Sequence, residues 1–339
     1  MMDMKLQTKT KNRVGLDIGT FAIKMLEISG APDKPMLIGM GLKNISGPSK
    51  GSISDSIKAL ADEAKITSRE VNISVSGPSV IVRFISMPRM KEEDLKSAIR
   101  FEAEKFIPFN INDCVVDFQT LTKDERENKF NILLVAAKKE HIKERIDLVE
   151  EAGLSVHIVD IDSFAMTNAF TRNFPNLGSE KTAAILNIGA TSTNLSIVRG
   201  DAMAFVRDVS IGSNDLNVTI SKDSGLSMES AEELKIDPKD KMQEIANCTK
   251  TLLSSLLDEV KLSFGYYENQ SGKSIDEIYI SGGAIGLVGL DEAFQDALGS
   301  RPSFWNPLGF LDASSAKLDA NVIDKIKNSF AVSAGLVLR

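Results

Sequence analysis

Two short segments of this 339-residue chain carry residue types at spacings that can do chemistry. The first is Val14-Gly15-Leu16-Asp17-Ile18-Gly19-Thr20, with Lys24 one strand-length later. The second is Ala184-Ile185-Leu186-Asn187-Ile188-Gly189-Ala190, continuing into Thr191 and Thr193. Each reads as an apolar strand, a tight glycine turn and a returning strand. Such a turn presents consecutive backbone N–H groups, and its glycine lets the backbone approach an anion closely. Asp17 can hold a magnesium ion through water, and Lys24 can neutralise phosphate oxygens. Alone, either turn is explained by a plain hairpin. Its recurrence at the equivalent place in a repeat points to two phosphate-binding turns facing each other across a cleft.

The same reading excludes other chemistry. The two histidines, His141 and His157, have no second ligand at zinc spacing. His141 is expected to be solvated at a helix start, and His157 half-buried in a short strand, so neither is assigned to a Ser-His-Asp triad. The nearest approach to a Walker A loop, Tyr267 to Ser274, lacks the first glycine and precedes a strand where a phosphate loop should follow one.

The elements that must position the two turns follow from periodicity and breakers. Strands are predicted over 13–18, 22–28 and 36–45, then a helix over 53–64 with Ile53, Ile57, Leu60 and Ala64 on one face. Strands at 71–75 and 80–87 precede a helix over 91–106, strands at 114–121 and 129–137, and a helix over 140–152. The stretch 75–153 is expected to be a compact α+β unit in its own right. The opening pattern then restarts: strand 155–161, helix 162–174, strands 182–188, 194–198 and 202–209. Helices over 212–270, a strand over 275–281, the turn Gly282-Gly283 and closing helices complete the chain. A β-β-β-α-β-α half repeated once is a duplicated α/β architecture with a ligand cleft between its halves.

These segments resemble the actin/Hsp70/sugar-kinase ATPase superfamily and, within it, the PilM family of type IV pilus assembly proteins, relatives of the cell-division protein FtsA. Asp17 to Lys24 is similar to the first phosphate motif and Asn187 to Thr193 to the second. Asp160-Ile161-Asp162-Ser163-Phe164-Ala165 resembles the first connecting segment, Ile280-Ser281-Gly282-Gly283-Ala284 the adenosine motif, and Ala331 to Leu336 the second connecting helix. The most PilM-like stretch runs from Met87-Pro88-Arg89-Met90 through Ile99-Arg100-Phe101 to Phe109, followed by Asp117-Phe118-Gln119.

The resemblance implies a duplicated actin-like, ribonuclease H-like fold: two lobes around a nucleotide cleft, with an FtsA-type inserted α+β subdomain. It divides the chain into a disordered start (1–12), a first lobe (13–74 and 154–175, with 329–339), the insert (75–153) and a second lobe (176–328). It implies ATP and magnesium as cofactors. Asp17 and Asp162 are then the catalytic candidates, and Asp17 and Asn187 face magnesium through water. Gly19, Thr20, Lys24, Asn187, Gly189, Ala190, Thr191, Thr193, Gly212, Gly282, Gly283 and Ala284 are the nucleotide-binding candidates. Glu232 and Lys235, three apart on one helix face, are either ribose and adenine contacts or a surface ion pair. Two departures weigh against rapid hydrolysis more than against binding: Asn187 replaces an acid, and Asp160 and Asp162 are shorter than the Glu or Gln that positions attacking water.

For partners, the resemblance implies the short cytoplasmic N-terminal tail of the membrane protein PilN. An apolar and basic surface at Arg83, Met87, Arg89, Met90 and Arg100, between the first sheet and the insert, is expected to take it. An FtsA-like membrane-tethering filament needs a C-terminal amphipathic helix that the sequence to Arg339 does not offer. A small-molecule kinase needs a catalytic Asp for a substrate hydroxyl and a larger sugar-binding lobe. The charge balance, 40 basic against 47 acidic side chains for a net −7, argues against a general nucleic-acid binder. No apolar run is long enough to span a bilayer, and two distant cysteines suit free buried thiols in a reducing compartment. A cytoplasmic protein, bound at the inner membrane through partners, is expected.

Overall fold

The computed structural model describes residues 12–124, 128–314 and 319–339; the expected disordered start lies almost wholly outside them. The first glycine turn joins β1 (Arg13–Ile18) to β2 (Ala22–Ser29), and β3 (Met36–Asn44) completes an antiparallel meander. α1 (Lys50–Glu63) then crosses to β4 (Glu70–Val75), which lies parallel to β1. α1 starts three residues before the predicted 53, because the Ser49 hydroxyl accepts from the Ser52 N–H and caps the helix.

The insert follows: β5 (Val80–Pro88), α2 (Glu92–Ala103), β6 (Cys114–Asp124) and β7 (Lys129–Lys138). Its antiparallel sheet has the order β5-β7-β6 and buries Ile85, Ile132 and Leu134 against Leu95, Ile99 and Ala103 of α2. α2 ends at Ala103 rather than Phe106. The N–H groups of Phe106 and Ile107 both close onto the Ala103 carbonyl, which buries Ile107 and leaves Phe106 exposed.

α3 (Lys139–Glu151) returns to the first sheet, adding β8 (Ser155–Ile161) and then α4 (Asp162–Asn173). This corrects the predicted extent of the insert. Leu148, Val149 and Ala152 pack with Ile57, Leu60, Val71 and Ile73 in the first sheet's core, so α3 belongs to that core and the insert's own sheet ends at Lys138.

The second turn joins β9 (Thr182–Ile188) to β10 (Thr193–Arg199), and β11 (Ala202–Val209) completes the second meander. α5 (Ser213–Ser224), α6 (Met228–Ile236) and the 30-residue α7 (Met242–Ser271) lead to β12 (Glu277–Ser281), α8 (Leu290–Leu298) and β13 (Ser303–Phe304). α9 (Ala320–Ile326) and α10 (Ala331–Leu336) follow. The two large sheets have matching orders, β3-β2-β1-β4-β8 and β11-β10-β9-β12-β13. That is the duplicated α/β architecture read from the sequence.

One core straddles the two sheets, joining Leu26, Ile28 and Phe170 to Ala183, Ile185 and Trp305. α10 runs through the join with almost no clearance. A Cβ on Gly335 would stand 1.6 Å from the Ala165 carbonyl oxygen, so only glycine lets α10 lie on α4.

Candidate functional site

Both turns close in the same way. Gly19 N–H donates to the Ala22 carbonyl at 3.2 Å, and Gly189 N–H donates to the Ser192 carbonyl at 2.9 Å. A Cβ at Gly19 would meet the Ala22 carbonyl oxygen at 2.7 Å, and one at Gly189 would meet the Ser192 carbonyl oxygen at 2.9 Å, so each turn is this tight only with glycine. The N–H groups of Thr20, Phe21, Ala190 and Thr191 donate to no protein acceptor among the described residues. The turns meet tip to tip, with the hydroxyls of Thr20 and Thr191 3.1 Å apart.

A cleft of about 470 Å³ opens between them, within the range of small-ligand sites. It is lined by Asp17, Gly19, Thr20 and Lys24 from the first turn, and by Asn187, Gly189, Ala190 and Thr191 from the second. Asp162, Glu232, Lys235, Gly283 and Ala284 also face it. The ion pair of Lys235 with Glu232 is formed, and the Asn217 amide donates to Glu232 at 2.6 Å. The pair is thus an i,i+3 bridge, and both of its residues line the cleft wall.

Three predicted contacts are corrected, because they stand behind the wall instead of on it. Thr193 is fully buried and donates its hydroxyl to the Ile211 carbonyl at 2.9 Å. Gly212 lets the start of α5 press on the second turn; a Cβ there would lie 2.5 Å from the Ala190 carbonyl oxygen. Gly282, at φ +108°, leaves no room either, since a Cβ would come within 2.3 Å of the Ile188 carbonyl oxygen. These positions shape the turn without facing the cleft. Gly283 differs: a Cβ there would meet nothing nearer than the Ser329 hydroxyl at 3.8 Å, which leaves open backbone surface beside Ala284.

The charges are unequal. Asp17 and Lys24 form an ion pair at 3.1 Å across the first hairpin. At the matching register of the second hairpin, Asn187 donates to the Asn194 side-chain oxygen at 3.2 Å, and Asn194 donates to Asp208 at 2.8 Å. Asp208 in turn accepts from the Gly77 N–H at 2.9 Å, tying the second sheet to the entry of the insert. Asp162 faces Asp17. Burial first, and then the Asp17 charge, raise its pKa to about 6 against the pull of the Ser74 and Ser76 hydroxyls. Asp160, its partner in the predicted connecting segment, is taken by a bidentate pair with Arg339 at 2.5 and 2.9 Å and does not line the cleft.

The residues present fit a nucleotide. Four unpaired N–H groups and Lys24 suit phosphates, and the open backbone at Gly283 suits a flat base. No group of three His, Cys, Asp or Glu side chains gathers at metal-binding distance among the described residues. Asp17 and Asp162 thus offer separate carboxylates, which suits a magnesium ion held through water better than one held directly.

Sequence reasoning missed Arg145, which comes from α3 and donates to the Ile18 carbonyl at 2.9 Å. It also missed the second cavity, a crevice of about 900 Å³ between the insert and the second sheet, lined by Arg83, Phe84, His141, Phe205 and Tyr266. Nothing in the local sequence of α3 marks either. His141 is half-buried, with its Nε2 unpartnered and its pKa lowered by burial and by Arg145, so the solvated expectation is corrected; His157 is exposed, not half-buried. On the expected partner surface, Arg83, Arg89 and Arg100 are exposed. Met87 is buried in the insert's core and Met90 packs against it, which corrects their place on that surface: the alternation of β5 turns Met87 inward. Phe109 packs there too, under the Lys138 ammonium at 4.2 Å.

Comparison with solved structures agrees with this architecture. The chain matches the "PilM-PilN type IV pilus biogenesis complex" with 28% identity over 96% of this chain and 98% of that one, at a TM-score of 0.86. It matches the ethanolamine utilization protein EutJ from Carboxydothermus hydrogenoformans at 14% identity over 97% and 89%, TM-score 0.57. It also matches MreB 5 of Spiroplasma citri bound to AMPPNP at 12% identity over 97% and 95%, TM-score 0.52. The last two share the fold alone, an actin-like one. The model of the family "Type IV pilus assembly protein PilM" matches residues 15–339, and this chain therefore belongs to the PilM family.

Proposed function

We propose that this chain is a nucleotide-binding adaptor of the type IV pilus inner-membrane assembly platform. It binds ATP in the interlobe cleft and the cytoplasmic N-terminal tail of PilN on the insert. The observation that carries the nucleotide reading is the convergence of both glycine turns, Glu232, Lys235 and the open backbone at Gly283 on one cleft. Support for the partner is the similarity, over nearly all of both chains, to the PilM-PilN complex.

The residues divide the work as follows. The N–H groups of the two turns and Lys24 hold phosphates, while Gly283 and Ala284 bear the adenosine. Glu232, fixed by Lys235 and Asn217, presents a carboxylate oxygen to a ribose hydroxyl. When bound, magnesium offsets phosphate charge. Asp17 would hold it through water, and Asn187 would offer only an amide dipole. Asp162 is ionised above pH 6 and orients water, but its short side chain gives poor positioning, on which phosphoryl transfer depends.

ATP is therefore bound and turned over slowly, and the protein works as a nucleotide-stabilised scaffold. Among the described residues no helix is long and apolar enough to cross a membrane, so the chain reaches the inner membrane through its partner. Calorimetry with ATP, with and without magnesium, and single-turnover hydrolysis test the first half. Turnover near ~1 s⁻¹, the low end of ordinary enzyme rates, would refute the slow-scaffold reading. For the second half, charge reversal at Arg89 and Arg100 should weaken binding of a PilN tail peptide and leave ATP affinity alone. Unchanged peptide affinity in both variants removes that surface.

A further inference from the structure

Arg145 stands where the two cavities meet, lining both the interlobe cleft and the crevice behind it. From α3 it donates one hydrogen bond, Nη1 to the Ile18 carbonyl at 2.9 Å, at the residue before Gly19. The other cation of this turn, Lys24, is held to Asp17 at 3.1 Å and is partly neutralised. Arg145 forms no ion pair among the described residues. It is half-buried, and its positive charge acts on its neighbour, opposing protonation of His141 one turn earlier. A guanidinium with four N–H donors to spare, beside a turn with two unpaired backbone N–H groups, is a fork of the shape that a phosphate oxygen pair accepts.

We propose that Arg145 contacts the terminal phosphate of a bound nucleoside triphosphate, and is the residue that separates triphosphate from diphosphate. The proposal rests on nucleotide binding in the cleft and adds which group reads the nucleotide's state. It also gives that state a route outward. β7 runs into α3 without a loop, Lys138 to Lys139, so the helix that carries Arg145 is continuous with the central strand of the insert. A phosphate that draws Arg145 acts on the sheet proposed to hold the partner. By linkage, a partner seated there changes triphosphate affinity by the same factor.

The full-length protein is titrated with ATP and with ADP in magnesium by calorimetry, as wild type, Arg145→Gln and Arg145→Lys. Arg145→Gln is expected to weaken ATP by about tenfold to a hundredfold and ADP by no more than about threefold, the size of one charge-assisted hydrogen bond. Arg145→Lys keeps the charge and a donor for the Ile18 carbonyl but loses the fork, and should fall between; it also serves if the Gln variant does not fold. Equal losses for ATP and ADP, or none, overturn the proposal and leave Arg145 as a clasp between α3 and the turn. Wild type that binds no nucleotide overturns it together with the nucleotide-cleft reading. Wild type that binds ATP beside an indifferent Arg145→Gln overturns the arginine's role alone.

Discussion

The two glycine turns are the same backbone with different charge. Asp17 pairs with Lys24 in the first hairpin, and Asn187 pairs with Asn194 at the corresponding register of the second. One pair is an ion pair at 3.1 Å; the other is an amide pair at 3.2 Å that continues through Asp208 to the Gly77 N–H. The turn geometry is set by glycine and by cross-strand hydrogen bonds, so it survives the exchange of side chains. The difference teaches that the donor geometry of a turn and the charge beside it are separable, so in the proposed site phosphate holding and metal holding need not go together. Both turns keep the N–H groups, but where the first carries an acid the second carries an amide, linked through Asn194 and Asp208 to the insert.

The largest expected break of this comparison is Asp17→Ala. It removes the carboxylate of the first turn that we propose faces magnesium, and ATP affinity in magnesium should fall by about a hundredfold, as for loss of a charge-assisted contact. Titration in EDTA should show much less difference between variant and wild type. A loss equal in both conditions would mean that Asp17 acts only by holding Lys24.

Asp162 is the next largest, because it feels both Asp17 and Asp208. Its folded-state pKa is raised to about 6 from 3.8, so the native state binds the extra proton. This contribution to stability is present below the unfolded pKa and is lost as pH rises through 6. Asp162→Asn should then stabilise the nucleotide-free protein at pH 7.5 by about 1–3 kcal/mol, given ~1.4 kcal/mol per pKa unit. No gain is expected at pH 4. Denaturant melts at the two pH values check it, and an equal gain at both would assign the effect to packing.

Asn187→Asp is the smallest and sharpens the comparison most. It places a second carboxylate toward the cleft but removes the donor to Asn194. If Asn194 flips to compensate, its own bond to Asp208 is lost. The nucleotide-free variant should lose about 1 kcal/mol, one hydrogen bond's worth, and gain a steeper magnesium dependence of ATP binding with faster turnover. An unaltered magnesium dependence would show that position 187 does not face the ion.

Some of this was legible from the start. The echo of Val14 to Thr20 in Ala184 to Ala190, the meanders around it and the turn at Gly282-Gly283 are local patterns, and the observed strands over 13–18, 155–161, 182–188 and 202–209 coincide with the predicted ones. Period-two apolar runs and glycine turns are settled within a few residues, because backbone sterics and alternation act at that range. The two candidate turns followed from the same cause.

What only the tertiary structure decided concerns residues whose meaning comes from distant partners. Arg145 reads as an ordinary helix-surface charge until α3 packs Leu148 and Val149 into the first sheet and brings the guanidinium to Ile18. Asp160 and Asp162 look interchangeable two residues apart, yet Arg339 takes one and the cleft receives the other. Glu27 is fully buried in an apolar strand and is tolerated because the N–H groups of Thr67 and Ser68, at 2.8 and 3.0 Å, the Thr67 hydroxyl at 2.6 Å and the Asn12 amide at 3.1 Å satisfy it. Sequence by itself determined the turns and the repeat, since those depend on near neighbours. Which charge faces the cleft, and which is spent inside the protein, depended on pairings over 40 to 179 residues of chain that no local pattern encodes.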